Sequence, residues 1–207
     1  MREFALAALA ALAILAAAPG AQAVDPPNFD FYGYAIVPTT AGGTLVMRSV
    51  LTNNGVVPTP IGLDFTLNQY TLVATATLLV VGPPSQYSPA SVQMWEDPIS
   101  GGTPADYAVP ATFTNGTMIL SGSFDGNLTR NRFTTTLGSF IGKVDFAGGS
   151  RLPDLSTPQD WPFGGAWKRG ISGIPSGYND NWDGKIDLSP VAVEPRTWGA
   201  IKQMYNE

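Results

Sequence analysis

Every second residue from Asn179 to Asp187 can offer an oxygen to a cation. The run Asn179-Asp180-Asn181-Trp182-Asp183-Gly184-Lys185-Ile186-Asp187 carries side-chain oxygens on Asn179, Asn181, Asp183 and Asp187, and Lys185 adds its backbone carbonyl. Gly184 permits a sharp turn among them, and Ile186 is an apolar anchor. Oxygens spaced this way converge on one point when the chain turns, as a hard cation with about six to eight oxygen ligands requires. The same Asn/Asp/Gly composition also suits a turn held by Asx hydrogen bonds without a metal.

Little else in the chain has the residue types for covalent or acid–base chemistry. Histidine and cysteine are both absent. That excludes Ser-His-Asp and Cys-His nucleophiles, His-rich and thiolate zinc sites, disulfides and a histidine pH switch. Glu96-Asp97, Asp106, Asp125 and Asp145 are candidate carboxylates for glycoside hydrolysis, which requires a separation of about 5–10 Å across a cleft. Trp161, Trp167, Trp182 and Trp198 supply aromatic faces for sugar rings, or equally the closure of a core. Eleven basic and sixteen acidic residues give a net charge of −5, with the cations scattered. No stripe of the kind nucleic acid requires is formed.

The nine residues Asn179–Asp187 resemble the calcium loops of EF-hands and bacterial dockerin modules. Those loops place oxygens at positions one, three, five and nine, glycine at six and a carbonyl at seven. The resemblance implies calcium held by Asn179, Asn181, Asp183, Lys185 and Asp187. It departs from the family at position one, which is Asn179, and at position twelve, where Pro190 replaces the bidentate carboxylate. It extends over nine of 207 residues and to no other part of the chain.

The elements that would carry these residues begin after an export segment. Arg2, the apolar run Phe4–Ala18 and the small residues of Ala21-Gln22-Ala23 have the form of a cleavable signal peptide over residues 1–23. The apolar run is too short to span a bilayer, which takes about 20 residues. Leu72–Val81, the strongest later apolar run, reads as a buried strand, so no transmembrane anchor is expected in the mature chain. Strand-like runs then follow at close spacing: Phe29–Val37, Thr44–Thr52, Gly62–Leu67, Tyr70–Val81, Ser91–Glu96, Ala111–Thr114, Met118–Phe124, Leu128–Leu137 and Phe140–Phe146. Asn115-Gly116 and Asp125-Gly126 are hairpin signals between them.

This pattern predicts an all-β protein with a single β-sandwich, jelly-roll-like or a meander, over residues 24–149, which include a short flexible N-terminal arm. Residues 150–207 are predicted to form an irregular Gly/Pro/Trp-rich tail carrying the calcium loop and ending in a short helix at Thr197–Tyr205. The functional expectation is a secreted or periplasmic bacterial exoprotein without catalytic activity, structural or an interaction domain at the cell surface. Self-association, a cell-surface partner or a carbohydrate are its expected partners. The alternative is a carbohydrate-binding module or a glycoside hydrolase.

Overall fold

The computed structural model describes residues 27–52 and 58–187. The expected signal peptide and terminal helix lie outside the described residues, as does most of the N-terminal arm. Nine strands form: β1 (Asn28–Ile36), β2 (Thr44–Thr52), β3 (Asn68–Val80), β4 (Ser85–Pro98), β5 (Thr117–Phe124), β6 (Leu128–Arg132), β7 (Leu137–Gly148), β8 (Trp161–Arg169) and β9 (Asp180–Asp187).

Two of these strands share one place in the sheet. β4 pairs with β6 through Ser85–Tyr87 and with β5 through Ser91–Glu96, and β7 meets the same two strands on the other side. β5 and β6 are therefore the halves of a single stave, interrupted at residues 125–127. The Asp125-Gly126 signal marks this interruption and not a hairpin. With that stave counted once, eight staves follow one another in chain order, each antiparallel to the last. β9 then pairs with β1 from Asn28↔Asp187 to Ala35↔Asp180 and closes the ring.

The architecture is thus a closed up-and-down β-barrel, which corrects the expected β-sandwich. A sandwich and a small barrel produce the same alternation, because each buries one face of every strand. They differ in whether the outer strands find partners, and here the last strand pairs with the first, which leaves no open edge between them. The predicted irregular tail is corrected with it, since residues 161–169 and 180–187 supply two full staves. The expected strand at Gly62–Leu67 is a series of turns, in which Asp64 accepts a hydrogen bond from the Thr66 amide at 2.9 Å. Ala111–Thr114 lies mostly within a single 3-10 turn that begins at Pro110.

Alternate residues fill the barrel. Phe29, Phe31 and Ala35 of β1 point inward, as do Leu72 and Ala74 of β3, and so do Trp161, Phe163 and Trp167 of β8. At mid-height Phe140 stacks on Trp182 with ring centroids 4.2 Å apart, and Phe31 stacks on Phe163 at 5.3 Å. Gly165 and Gly184 face each other across the β8–β9 ladder and make room for this stack. A Cβ on either would come within 2.7 Å of the Phe140 ring. Each ring removes roughly 150–250 Å² from water, an upper bound of about 4–6 kcal/mol. The outer face carries Asp30, Arg48, Thr75, Gln93, Lys143, Asp183 and Lys185. Apolar inside and polar outside is the inverse of a barrel whose strands face lipid.

Candidate functional site

The inward alternation that places apolar residues in the core also places three charges there, near one end. On β6, Leu128 and Arg130 share the inner parity. On β8, Arg169 follows Trp167, and on β9, Asp180 precedes Trp182. Asp180 is fully buried, and Arg130 exposes only 8% of its side chain. Arg130 Nη2 donates to Asp180 Oδ2 at 2.7 Å, and Arg169 Nε donates to Asp180 Oδ1. The Arg130 guanidinium also lies over the Trp167 ring, 3.4 Å from its centroid. Trp167 itself is fixed by its indole N–H, which donates to the Asn131 carbonyl at 2.8 Å.

The pairing leaves an excess of positive charge. One carboxylate serves two guanidinium groups, Arg130 buried and Arg169 half-buried, and Arg130 Nε and Arg169 Nη2 are buried atoms without a protein partner. Burial pulls the Arg130 guanidinium below its ordinary range, and the Asp180 carboxylate offsets part of that. The Tyr87 phenol beside it is pushed up by burial, while the Arg130 charge pulls in the opposite direction.

Above these groups the barrel opens into a cavity of about 310 Å³. Arg130, Arg132, Arg169, Tyr87 and Ser85 form its polar side; Val37, Pro38, Val81 and Pro83 form the apolar side. The strand ends and hairpins here span 36–45, 78–87, 129–139 and 166–180. They contain four cations, Arg130, Arg132, Lys168 and Arg169, and a single acid, Asp180. In a chain of net charge −5, that is a marked segregation along the barrel axis. The chemistry it offers is recognition of an anion by buried N–H donors, which in a low-dielectric site interact strongly with negative charge.

The residues singled out for calcium fall elsewhere. Asp180–Asp187 is an extended strand, and Asn181, Asp183, Lys185 and Asp187 lie along its outer face, with Asn179 just before it. Over eight residue steps such a face spreads its groups along about 26 Å, whereas calcium ligands surround one point. The Asn179 side chain bonds both the N–H and the carbonyl of Val37, at 2.9 Å each, and Asn181 donates to the Gly33 carbonyl at 2.9 Å. Asp187 sits 3.3 Å from the Lys185 ammonium. The five positions are not brought together.

The other candidate carboxylates are engaged in local hydrogen bonds. Glu96 accepts hydrogen bonds from Tyr70 at 2.8 Å and Asn68 at 3.0 Å, Asp97 accepts from the Thr103 amide, and Asp106 from the Ala108 amide. Asp145 accepts from the Asp160 amide at 2.8 Å. Trp161, Trp167 and Trp182 are buried in the barrel and present no face to a sugar. Trp198 lies outside the described residues.

None of the site residues Arg130, Arg132, Arg169, Tyr87 or Asp180 stands out by sequence spacing, since they come from four separate strands. The available signal was parity: charged residues at positions where the alternation demands apolar ones. Comparison of the chain with protein-family models, with curated proteins and with solved structures finds no match.

Proposed function

We propose that this chain is an exported, non-catalytic interaction protein whose recognition end is the arginine-lined mouth of the barrel, and that it takes an anionic group there. The observation that carries the reading is the pair Arg130–Arg169, which shares the one buried carboxylate of Asp180 and retains buried donor atoms without a protein partner beside a cavity that both arginines line. Export rests on the form of residues 1–23 and on their apolar run. A binding role fits the groups present, which are guanidinium groups and a phenol that attract and hold an anion.

The test is a titration of the chain lacking Met1–Ala23, a deletion that removes no residue of the barrel, with inorganic phosphate and with acetate. Trp167 lies against Arg130, so tryptophan fluorescence reports occupancy, and calorimetry gives the affinity. Saturable binding, weakened several-fold in Arg132→Gln and screened by salt, is expected. A linear response to both anions, unchanged by that substitution, would remove the basis of the reading.

A further inference from the structure

From this reading of the mouth as an anion site, we infer that the anion is the phosphate of a lipid headgroup and that the barrel docks end-on against an anionic phospholipid surface. The added observation is the distribution of exposed hydrophobic side chains. Twelve large ones are exposed among the described residues, and six of them, Leu79, Val80, Val81, Phe133, Leu137 and Ile171, belong to the β3–β4, β6–β7 and β8–β9 hairpins or the strand ends beside them. By topology those hairpins lie at the end where the arginine cavity opens. Phe133 is 69% exposed and Val81 58%.

Apolar side chains scattered singly over a surface need no explanation. Here they share one end of the barrel, where four cations meet one acid, with a cavity that has three arginines and Val81 on its wall. A soluble anion in the cavity would use the arginines and leave the apolar rim idle. A polynucleotide would use the charge but offers no apolar layer for Phe133 or the β3–β4 hairpin. A phospholipid surface offers both at the matching places. Its phosphates meet Arg130, Arg132 and Arg169, and its acyl boundary receives the apolar tips. The rest of the barrel, net negative, is repelled from the same surface, which orients the molecule with this end down.

The experiment is sedimentation of the chain lacking Met1–Ala23 with vesicles of phosphatidylglycerol in phosphatidylcholine, and with pure phosphatidylcholine. In a parallel arm, glycerol 1-phosphate is titrated by tryptophan fluorescence. Binding to the anionic vesicles and not to the neutral ones is expected, decreasing about fivefold in Arg132→Gln, as one juxtamembrane cation contributes. A further loss is expected in Val81→Ser and Phe133→Ser, all three at exposed positions whose folding is checked by circular dichroism. Response to glycerol 1-phosphate without vesicle binding overturns the lipid inference and leaves the anion site standing. Silence in both arms overturns both. Vesicle binding unaffected by the three substitutions overturns the assignment to this end of the barrel.

Discussion

Replacing Asp180 by asparagine keeps the side-chain size and removes the one negative charge that buried Arg130 and half-buried Arg169 share. Taking one partner from a buried ion pair typically costs about 3–5 kcal/mol, because the remaining charge stays desolvated. Two features place this site at the lower end. Arg130 keeps the face of Trp167 at 3.4 Å, a contact worth about 1–2 kcal/mol, and Arg169, with 35% of its side chain exposed, can regain water. A loss of about 3 kcal/mol follows, or roughly 6–12 °C in Tm for a chain of this size. Urea denaturation at neutral pH, followed by tryptophan fluorescence, measures it. A second arm adds phosphate. With their carboxylate neutralised the arginines attract the anion more strongly, so the variant should be stabilised more than the parent at the same phosphate concentration, its own stabilisation reaching about 2.7 kcal/mol at a hundredfold excess over its Kd. The double substitution Arg130→Met with Asp180→Leu should lose less than Asp180→Asn alone, since no unpaired charge is left at Arg130. A single-variant loss below about 1 kcal/mol, or equal phosphate stabilisation of parent and variant, would refute the reasoning.

Three further outcomes are expected. Gly165→Ala should destabilise by about 1–3 kcal/mol, read by chemical denaturation, because its methyl would meet the Asp183 carbonyl at 2.2 Å and the Phe140 ring at 2.7 Å; a neutral effect would mean that the aromatic stack is loose. Asp30, half-buried on β1, has its carboxyl raised, first by burial and then by Asp183 against the bond from Thr52. A raised folded-state pKa makes ionisation costly, so this group's contribution improves as pH falls through its folded pKa; Asp30→Asn should raise Tm at pH 7 and lose that advantage in acid. Millimolar calcium should leave Tm unchanged, and a reproducible rise would show that the outer face of β9 gathers its oxygens after all.

The elements themselves were largely legible. Phe29–Val37, Thr44–Thr52, Tyr70–Val81 and Phe140–Phe146 are strands close to where alternation puts them, since a stave with one buried face must repeat every two residues. Closure was not legible, because it depends on the pairing of residues 28–35 with 180–187, and alternation carries no information about partners. The last two staves were hidden for a related reason. In β9 the oxygen-bearing residues at alternate positions fit a calcium loop and the wet face of a strand equally well. What separates the two is the opposite parity, Trp182, Gly184 and Ile186, which fills the core. In β8 the same alternation is present in Trp161, Phe163 and Trp167, but Pro162 and two glycines obscure it. The arginine site was beyond reach for a different reason. Arg130 and Asp180 are fifty positions apart, and their burial becomes visible only once the ring is closed.

The seam between β1 and β9 also governs how the chain reaches its native state. Every other stave pairs with its neighbour in sequence, the longest connection being residues 99–116, whereas Asn28 and Asp187 must meet over 159 positions. Relative to a six-residue hairpin, closing that span costs roughly 3 kcal/mol of chain entropy. The meander can therefore zip from local pairs, but its two outermost staves remain open edges until the final step, and that interval is when one molecule can capture another. Because the two ends finish side by side, joining residue 187 to residue 28 through a short linker, and opening the chain at a hairpin instead, would make the slow contact a local one. A permuted chain of that kind should fold faster and aggregate less on refolding, while keeping the same barrel.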